Sequence, residues 1–173
     1  MILLGLGSNL PSSFGDRFKN INLAISYLEK NNIKIVKKSS YYETLSFPDK
    51  KKPKFINTII AVDTDLSAEK LASIIISIEE KLERKRNKKN DPRTCDIDII
   101  DFNGEIINFK LGTLSFNVPH EKLIYRNFVL YPLQELFPHW KHPKNNELIS
   151  NLINRLSEDD KNSILKIKKS WYK

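Results

Sequence analysis

Two aspartates, Asp96 and Asp98, stand two residues apart in the segment Asp91-Pro-Arg-Thr-Cys-Asp-Ile-Asp-Ile99. On a strand, alternate residues share a face, so their Cα atoms would lie roughly 6.6 Å apart on one side. Ile97 and Ile99 would face the other side, as would Cys95, which is therefore expected in packing rather than in chemistry. Two neighbouring carboxylates repel unless a cation lies between or before them. Mg²⁺ takes one or two carboxylates together with substrate phosphates, and such a pair could also hold two metals about 3.5–4 Å apart around a phosphoryl group in transit. Taken alone, the pair reads equally well as two exposed aspartates on a half-solvated strand. What feeds the strand shifts the balance: from Lys81 to Arg93 seven basic residues face two acidic ones. Arginine and Mg²⁺ together neutralise polyphosphate, so the segment points to a phosphorylated ligand.

The elements that must position these residues follow from hydropathy patterning. Met1 to Leu6 reads as a buried strand stopped by the glycines and the turn-prone Ser8-Asn9-Leu10-Pro11. Phe18, Ile21, Ile25 and Leu28 recur at helical spacing over about 15–31. A broken strand runs from Ile33 to Thr44, a loop from Leu45 to Lys54, and a strand rich in β-branched residues from Phe55 to Val62. Ser67 is a good N-cap for a second helix carrying Leu71, Ile74, Ile75, Ile78 and Leu82. Asn103-Gly104 between two apolar runs predicts a hairpin joining the aspartate strand to Glu105–Phe109. The order is β-α-β-β-α-β with an added hairpin strand, which predicts an α+β, ferredoxin-like antiparallel sheet with two helices on one face. Phe128–Phe137 and Leu148–Leu156 predict C-terminal helices, with a helical extension over about 144–173. His139 and His142 are expected to be exposed loop histidines.

Composition works by exclusion. The chain has 173 residues, 40% hydrophobic and 29% charged, which fits one domain, 1–173, with a core of its own. Its single cysteine excludes an internal disulfide framework and a cysteine-rich zinc site. No apolar run approaches the ~20 residues needed to span a bilayer, and the short apolar start lacks a basic leader. A cytoplasmic location is expected. The net charge of +8 permits nucleic acid, a membrane surface or a phosphorylated small molecule. The basic clusters at Lys50–Lys54 and Lys161–Lys173 read as solvated surface. There is no Gly-x-x-x-x-Gly-Lys-Ser/Thr loop, the third glycine of a dinucleotide fingerprint is missing after Gly5-Leu-Gly7, and Asp101-Phe-Asn-Gly104 has no kinase catalytic-loop partner.

At this point the chain resembles a known family. Gly5-Leu-Gly-Ser-Asn9, Phe55-Ile-Asn57, Ile78-Glu79, Arg84-Lys-Arg86, Pro92-Arg-Thr-Cys-Asp-Ile-Asp-Ile99, Val118-Pro-His120 and Arg126-Asn-Phe-Val-Leu-Tyr-Pro-Leu133 occur in order. Together they are similar to the 6-hydroxymethyl-7,8-dihydropterin pyrophosphokinases, over roughly residues 2–140. The resemblance implies transfer of the β,γ-pyrophosphoryl unit of ATP to the hydroxymethyl group of the pterin, with release of AMP, in folate biosynthesis. It implies two Mg²⁺ held by Asp96 and Asp98, with Arg84 and Arg93 stabilising charge on the transferring group and Asp98 as a possible proton acceptor. ATP would contact Glu79, Arg84, Arg86, Arg93, Ile99, His120 and Arg126. The pterin would lie between Phe55 and Phe128, near Asp96, hydrogen-bonded by Asn57 and by the backbone around Thr44, Leu45 and Phe47. A flat heterocycle with polar edges needs aromatic faces plus an amide that both donates and accepts, and Phe55 and Asn57 share one strand face. Without the resemblance, Phe55 is a core aromatic and His120 a loop histidine. A monomer is expected, with no nucleic-acid or membrane partner.

The chain departs from the family pattern at Asn90-Asp91, where many members carry Trp-Gly, and at Thr44-Leu-Ser-Phe-Pro48, where many carry Thr-Pro-Pro-Leu-Gly. Phe55 stands where many have Tyr. Asp91 brings a negative charge near the polyphosphate path. The rival reading is a basic ferredoxin-like RNA-binding module. It requires paired aromatics on adjacent central strands, whereas Asp96 and Asp98 would repel phosphate unless they are metal-bound.

Overall fold

A computed structural model describes residues 1–46, 49–85 and 91–167. The chain forms β1 (Ile2–Ser8), α1 (Arg17–Lys30), β2 (Lys34–Lys38), β3 (Tyr42–Thr44), β4 (Phe55–Asp63), α2 (Ala68–Lys81) and β5 (Asp96–Phe102). There follow β6 (Ile107–Leu111), β7 (Leu114–Val118), a 3₁₀ turn at Leu123–Tyr125, α3 (Asn127–Leu136), α4 (Ile149–Asn154), α5 (Glu158–Asn162) and β8 (Ile164–Lys166). Both early helices start where a side chain replaces the missing backbone partner: Asp16 accepts from the Lys19 N–H at 2.8 Å and Ser67 from that of Lys70 at 3.3 Å.

The main sheet is antiparallel in the order β5-β1-β4-β3-β8, with β2 also paired to β4. Period-2 alternation divides its residues between two cores. Ile2, Leu4, Leu6, Ile56, Ile60, Ile97 and Ile99 pack with α1 and α2, and Cys95 is buried among them. Leu3, Ile59, Ala61 and Ile100 pack with Val129, Leu130 and Leu133 of α3 and with Ile149, Leu152 and Ile153 of α4. The predicted pair of helices therefore covers one face, and the C-terminal helices cover part of the other. A bulge in the β1–β5 pairing between Leu3 and Leu4 turns Asp101 towards the α3–α4 side, where its carboxylate accepts from Trp140 Nε1 at 2.8 Å.

Two elements differ from expectation. Asn103 and Gly104 both take positive φ (56° and 74°), as a tight turn demands, yet β6 does not pair with β5. It turns at Gly112 (φ 57°) and pairs with β7 as a separate two-stranded hairpin. Phe109 and Phe116 stack across that hairpin, with centroids 5.0 Å apart, which holds it together. The strand from Ile33 to Thr44 is broken as expected, into β2 and β3, both on β4. The C-terminal extension is not wholly helical, because β8 returns to the main sheet beside β3. His142 is a correction of another kind. It is buried (7% exposed) and packs edge-on against Trp140, whereas His139 is exposed as expected.

Candidate active site

Strand register brings the predicted residues to one sheet face. On β1, Gly5 lies opposite Asp98 and Ile59, and Gly7 lies opposite Asp96 and Asn57. On β3, Tyr42 pairs with Asn57 and Thr44 with Phe55. The two glycines leave a floor without side chains between the carboxylates of β5 and the aromatic and amide of β4. A Cβ on Gly7 would stand 3.0 Å from Asn57 Oδ1, and one on Gly5 would stand 3.3 Å from Ile100 Cδ1. Above this floor is a cavity of about 580 Å³, within the ordinary range for a small-molecule site. Thr44, Leu45, Phe55, Asn57, Asp96 and Phe128 all line it, as do Arg93 and Arg126.

A second, smaller cleft of about 170 Å³ opens at the free edge of β5, between α2 and the β6–β7 hairpin. Glu79, Arg84, Ile99 and His120 line it, together with Ser115 and Asn117 of β7. Of the residues expected at a nucleotide, these first four thus line the smaller cleft, whereas Arg93 and Arg126 line the larger cavity with the residues expected at a pterin. Among the described residues, only Asp96 and Asp98 line both. The predicted positions Arg86 and Phe47 fall outside the described residues.

The carboxylates are held by arginines. Arg84 Nη1 lies 2.6 Å and Arg93 Nε 3.0 Å from Asp96, and Arg126 Nη1 lies 3.2 Å from Asp98. Burial alone would raise the Asp96 pKa, but Arg93 and then Arg84 outweigh it and keep the group below the usual carboxylate range. Asp98 goes the other way, raised by burial and by the adjacent Asp96 charge against the opposing pull of His120 and Arg126. That like-charge repulsion is what a bound divalent cation would relieve, so the donor set fits one. The Lys122 N–H donates to His120 Nδ1 at 3.0 Å, which leaves the Nε2–H of the neutral ring free to donate. Burial lowers the His120 pKa, with Asp98 partly opposing.

Arg84 is also paired with Glu79, whose Oε1 accepts the Ile97 N–H at 2.8 Å. Glu79 is 1% exposed, so it orients Arg84 and the edge of β5 as well as lining the cleft. Arg93 lies over the Phe55 ring at 5.3 Å and Arg126 over that of Phe128 at 5.5 Å, so both aromatic faces carry a cation. Asp91 is paired with Lys52 at 3.7 Å, which offsets the negative charge expected there.

Sequence reasoning missed several positioning residues. Asn9 is 2% exposed. Its Oδ1 accepts the Arg93 N–H at 2.7 Å, and its Nδ2 donates to Ser46 Oγ and Pro53 O. It therefore fixes the start of β5 against the loop before β4. An asparagine directly after a Gly-x-Gly strand end was the available signal, since a buried amide needs partners. Asn57 Nδ2 donates to Thr44 Oγ1 at 3.0 Å, a pairing that spacing along the chain cannot show.

Comparison with known proteins identifies the family. Residues 3–138 match the model of the family described as 7,8-dihydro-6-hydroxymethylpterin-pyrophosphokinase. The 2-amino-4-hydroxy-6-hydroxymethyldihydropteridine pyrophosphokinase of Aquifex aeolicus is 37% identical over 82% of this chain and 83% of its own length. The folic acid synthesis protein FOL1 of Dictyostelium discoideum is 36% identical over 83% of this chain, which spans only 20% of that longer protein. Among solved structures, the HPPK-DHPS A437G protein of Plasmodium falciparum with pteroate superposes with a TM-score of 0.74 at 17% identity, over 96% of this chain and 46% of its own. That likeness is one of fold. The chain belongs to the 7,8-dihydro-6-hydroxymethylpterin-pyrophosphokinase family.

Proposed function

We propose that this chain transfers the β,γ-pyrophosphoryl unit of ATP to the hydroxymethyl oxygen of 6-hydroxymethyl-7,8-dihydropterin, releasing AMP, as a step of folate biosynthesis. The observation that carries the proposal is the placement of Asp96 and Asp98 as the shared wall of two cavities. A donor nucleotide on one side and a flat acceptor on the other would meet at these carboxylates.

Asp96 and Asp98 would hold two Mg²⁺, which when bound neutralise triphosphate charge and make the acceptor hydroxyl more acidic. In their absence Arg84, Arg93 and Arg126 supply the neutralising charge to the carboxylates. With ATP in the cleft, these guanidiniums exchange carboxylate for phosphate oxygens, which they bind with comparable geometry. Arg93 must also leave the Phe55 ring for a pterin to stack there. His120 donates its Nε2–H to a phosphate, and Arg86 and Ile99 complete the nucleotide contacts. Phe55 and Phe128 enclose the pterin, while Asn57 and the chain from Thr44 through Leu45 to Phe47 bind its polar edge. Asp98 is the candidate acceptor for the hydroxyl proton. Catalysis is chiefly positioning and charge neutralisation, with no covalent enzyme intermediate.

We further propose that residues 1–173 form one domain, which acts as a monomer in the cytoplasm without nucleic acid or membrane. No described helix is long and apolar enough to cross a bilayer. The RNA-binding alternative is disfavoured because α1 and α2 cover one sheet face, while α3, α4 and the carboxylates occupy the other. The test is turnover with ATP, the hydroxymethyl pterin and Mg²⁺. Activity should need all three, vanish in EDTA and be lost in Asp96→Ala. A fully active Asp96→Ala would remove the metal assignment, and salt-sensitive RNA binding that persists in EDTA would favour the alternative.

A further inference from the structure

The larger cavity has a wall from beyond the stretch that matches the family, which ends at residue 138. Asp159, Asp160 and Ser163 line it together with Phe55, Asn57 and Phe128. None of the three lines the smaller cleft.

Two attachments hold this segment in place. The first is β8, paired antiparallel with β3 in the register Tyr42↔Lys166, Glu43↔Leu165 and Thr44↔Ile164. The Ile167 N–H continues the ladder by donating to Tyr41 O at 2.8 Å. This pairing backs the strand that leads into Thr44 and Leu45. Lys166 Nζ reaches Glu135 of α3 at 3.1 Å.

The second attachment is Asn127. It is 7% exposed, and its Nδ2 donates to Asp160 O at 2.6 Å and to Ser163 Oγ at 3.0 Å. Ser163 Oγ in turn donates to Asp160 O at 3.0 Å. Asn127 stands between Arg126, which pairs with Asp98, and Phe128, which lines the cavity. A buried amide whose donors are both used fixes its own backbone, and with it the directions of its two neighbours.

We propose that the segment from Glu158 to Ile167 is a wall of the pterin site and that Asn127 is the positioning residue tying it to Arg126 and Phe128. The proposal rests on the pterin reading of the larger cavity. It assigns the segment to acceptor binding and leaves the nucleotide cleft independent of it.

The test uses the full chain and its variants, with pterin binding followed directly by fluorescence titration alongside steady-state kinetics. Leu165→Pro addresses the strand. Since Ile167 donates to β3, ladder alternation puts the Leu165 N–H on β3 as well, and proline removes it. Leu165 is 61% exposed, so no core packing is lost. Asn127→Ala addresses the clamp. Leu165→Pro should raise the pterin KM by about tenfold while the ATP KM moves less than about twofold, the signature of lost acceptor binding. Asn127→Ala should raise the pterin KM similarly and, because Asn127 also directs Arg126, the ATP KM as well. Ser163→Ala removes one of the two Asn127 acceptors and should give a smaller rise of the same kind, so the test survives if a stronger variant fails to fold. A lowered Tm with unchanged pterin affinity would make the segment merely structural and overturn the proposal, as would equal rises in both KM values for Leu165→Pro. A parent protein that binds no pterin would overturn the proposed function itself. A parent that binds, with variants that bind equally, overturns only the wall.

Discussion

Asp96 and Asn57 stand in register on either side of Gly7, one on each neighbouring strand of β1, with both side chains on the same sheet face. Two strand spacings of about 4.8 Å separate them, and the intervening residue has no side chain. The carboxylate at which a nucleotide would react and the amide that would hold the acceptor are therefore fixed by backbone pairing alone.

Gly7→Ala tests that floor. The new Cβ would lie 3.0 Å from Asn57 Oδ1 and 3.6 Å from Phe55 Cδ1, so the amide must shift from its place at the cavity floor. Overpacking of this kind costs about 1–2 kcal/mol, seen here as a roughly tenfold loss of pterin affinity by titration calorimetry. Parental affinity would show that the floor can be filled.

The two aspartates should respond oppositely to neutralisation. Asp98 has a raised pKa in the folded chain. Its protonated form favours folding, a contribution present below the unfolded value and lost as pH rises through the folded one. Asp96 has a lowered pKa, so its charged form favours folding above the unfolded value, and that contribution is lost as pH falls through the folded one. Without metal at neutral pH, Asp98→Asn should raise Tm and Asp96→Asn should lower it. Both should cut turnover by about 10³-fold or more. Thermal melts in EDTA check the signs, and a fall in Tm for Asp98→Asn would contradict them.

Glu79→Ala should destabilise the fold as well as the reaction. It would leave the Ile97 N–H without this acceptor and Arg84 without one of its two carboxylates. Breaking a buried pair costs about 3–5 kcal/mol, measurable by urea unfolding. A loss below about 1 kcal/mol would make Glu79 a nucleotide contact rather than an anchor.

Glu135 gives an acid limit to stability. It accepts from Tyr42 Oη at 2.6 Å and from the Ser40 N–H and Oγ at 3.0 and 2.9 Å. Burial raises its pKa, but the hydrogen bonds from Tyr42 and Ser40 outweigh this and hold it below the usual value. Its contribution is therefore present above the unfolded pKa and lost as pH falls through the folded one. Glu135→Gln should be less stable than the parent at neutral pH, and the gap should close in acid. A gap that is constant with pH would exclude this role.

Much of the site was legible because strand alternation is a local rule. Asp96 with Asp98, and Phe55 with Asn57, were placed on common faces by spacing alone. The early helices were legible from their periodicity, the second also from its Ser67 cap. What pairs with what was not legible. Asn103-Gly104 signalled a turn correctly, yet β6 left β5 for β7, because the stacked Phe109 and Phe116 give it a better partner than local sequence can reveal. Ile164–Lys166 is too short and too exposed to announce itself as a strand, and only β3 makes it one. Asn9 read as a turn residue and Asn127 drew no role of its own, because the carbonyls and hydroxyls they bind lie far along the chain or in another element.

The central claim is transfer of a pyrophosphoryl unit at the junction of the two cavities. It is tested most directly by the nucleotide product formed from ATP with 6-hydroxymethyl-7,8-dihydropterin and Mg²⁺, resolved by anion-exchange chromatography. The proposed reaction predicts AMP in one-to-one yield with a diphosphorylated pterin, and none when the pterin is omitted. ADP with a monophosphorylated pterin, or AMP formed equally without pterin, would contradict it.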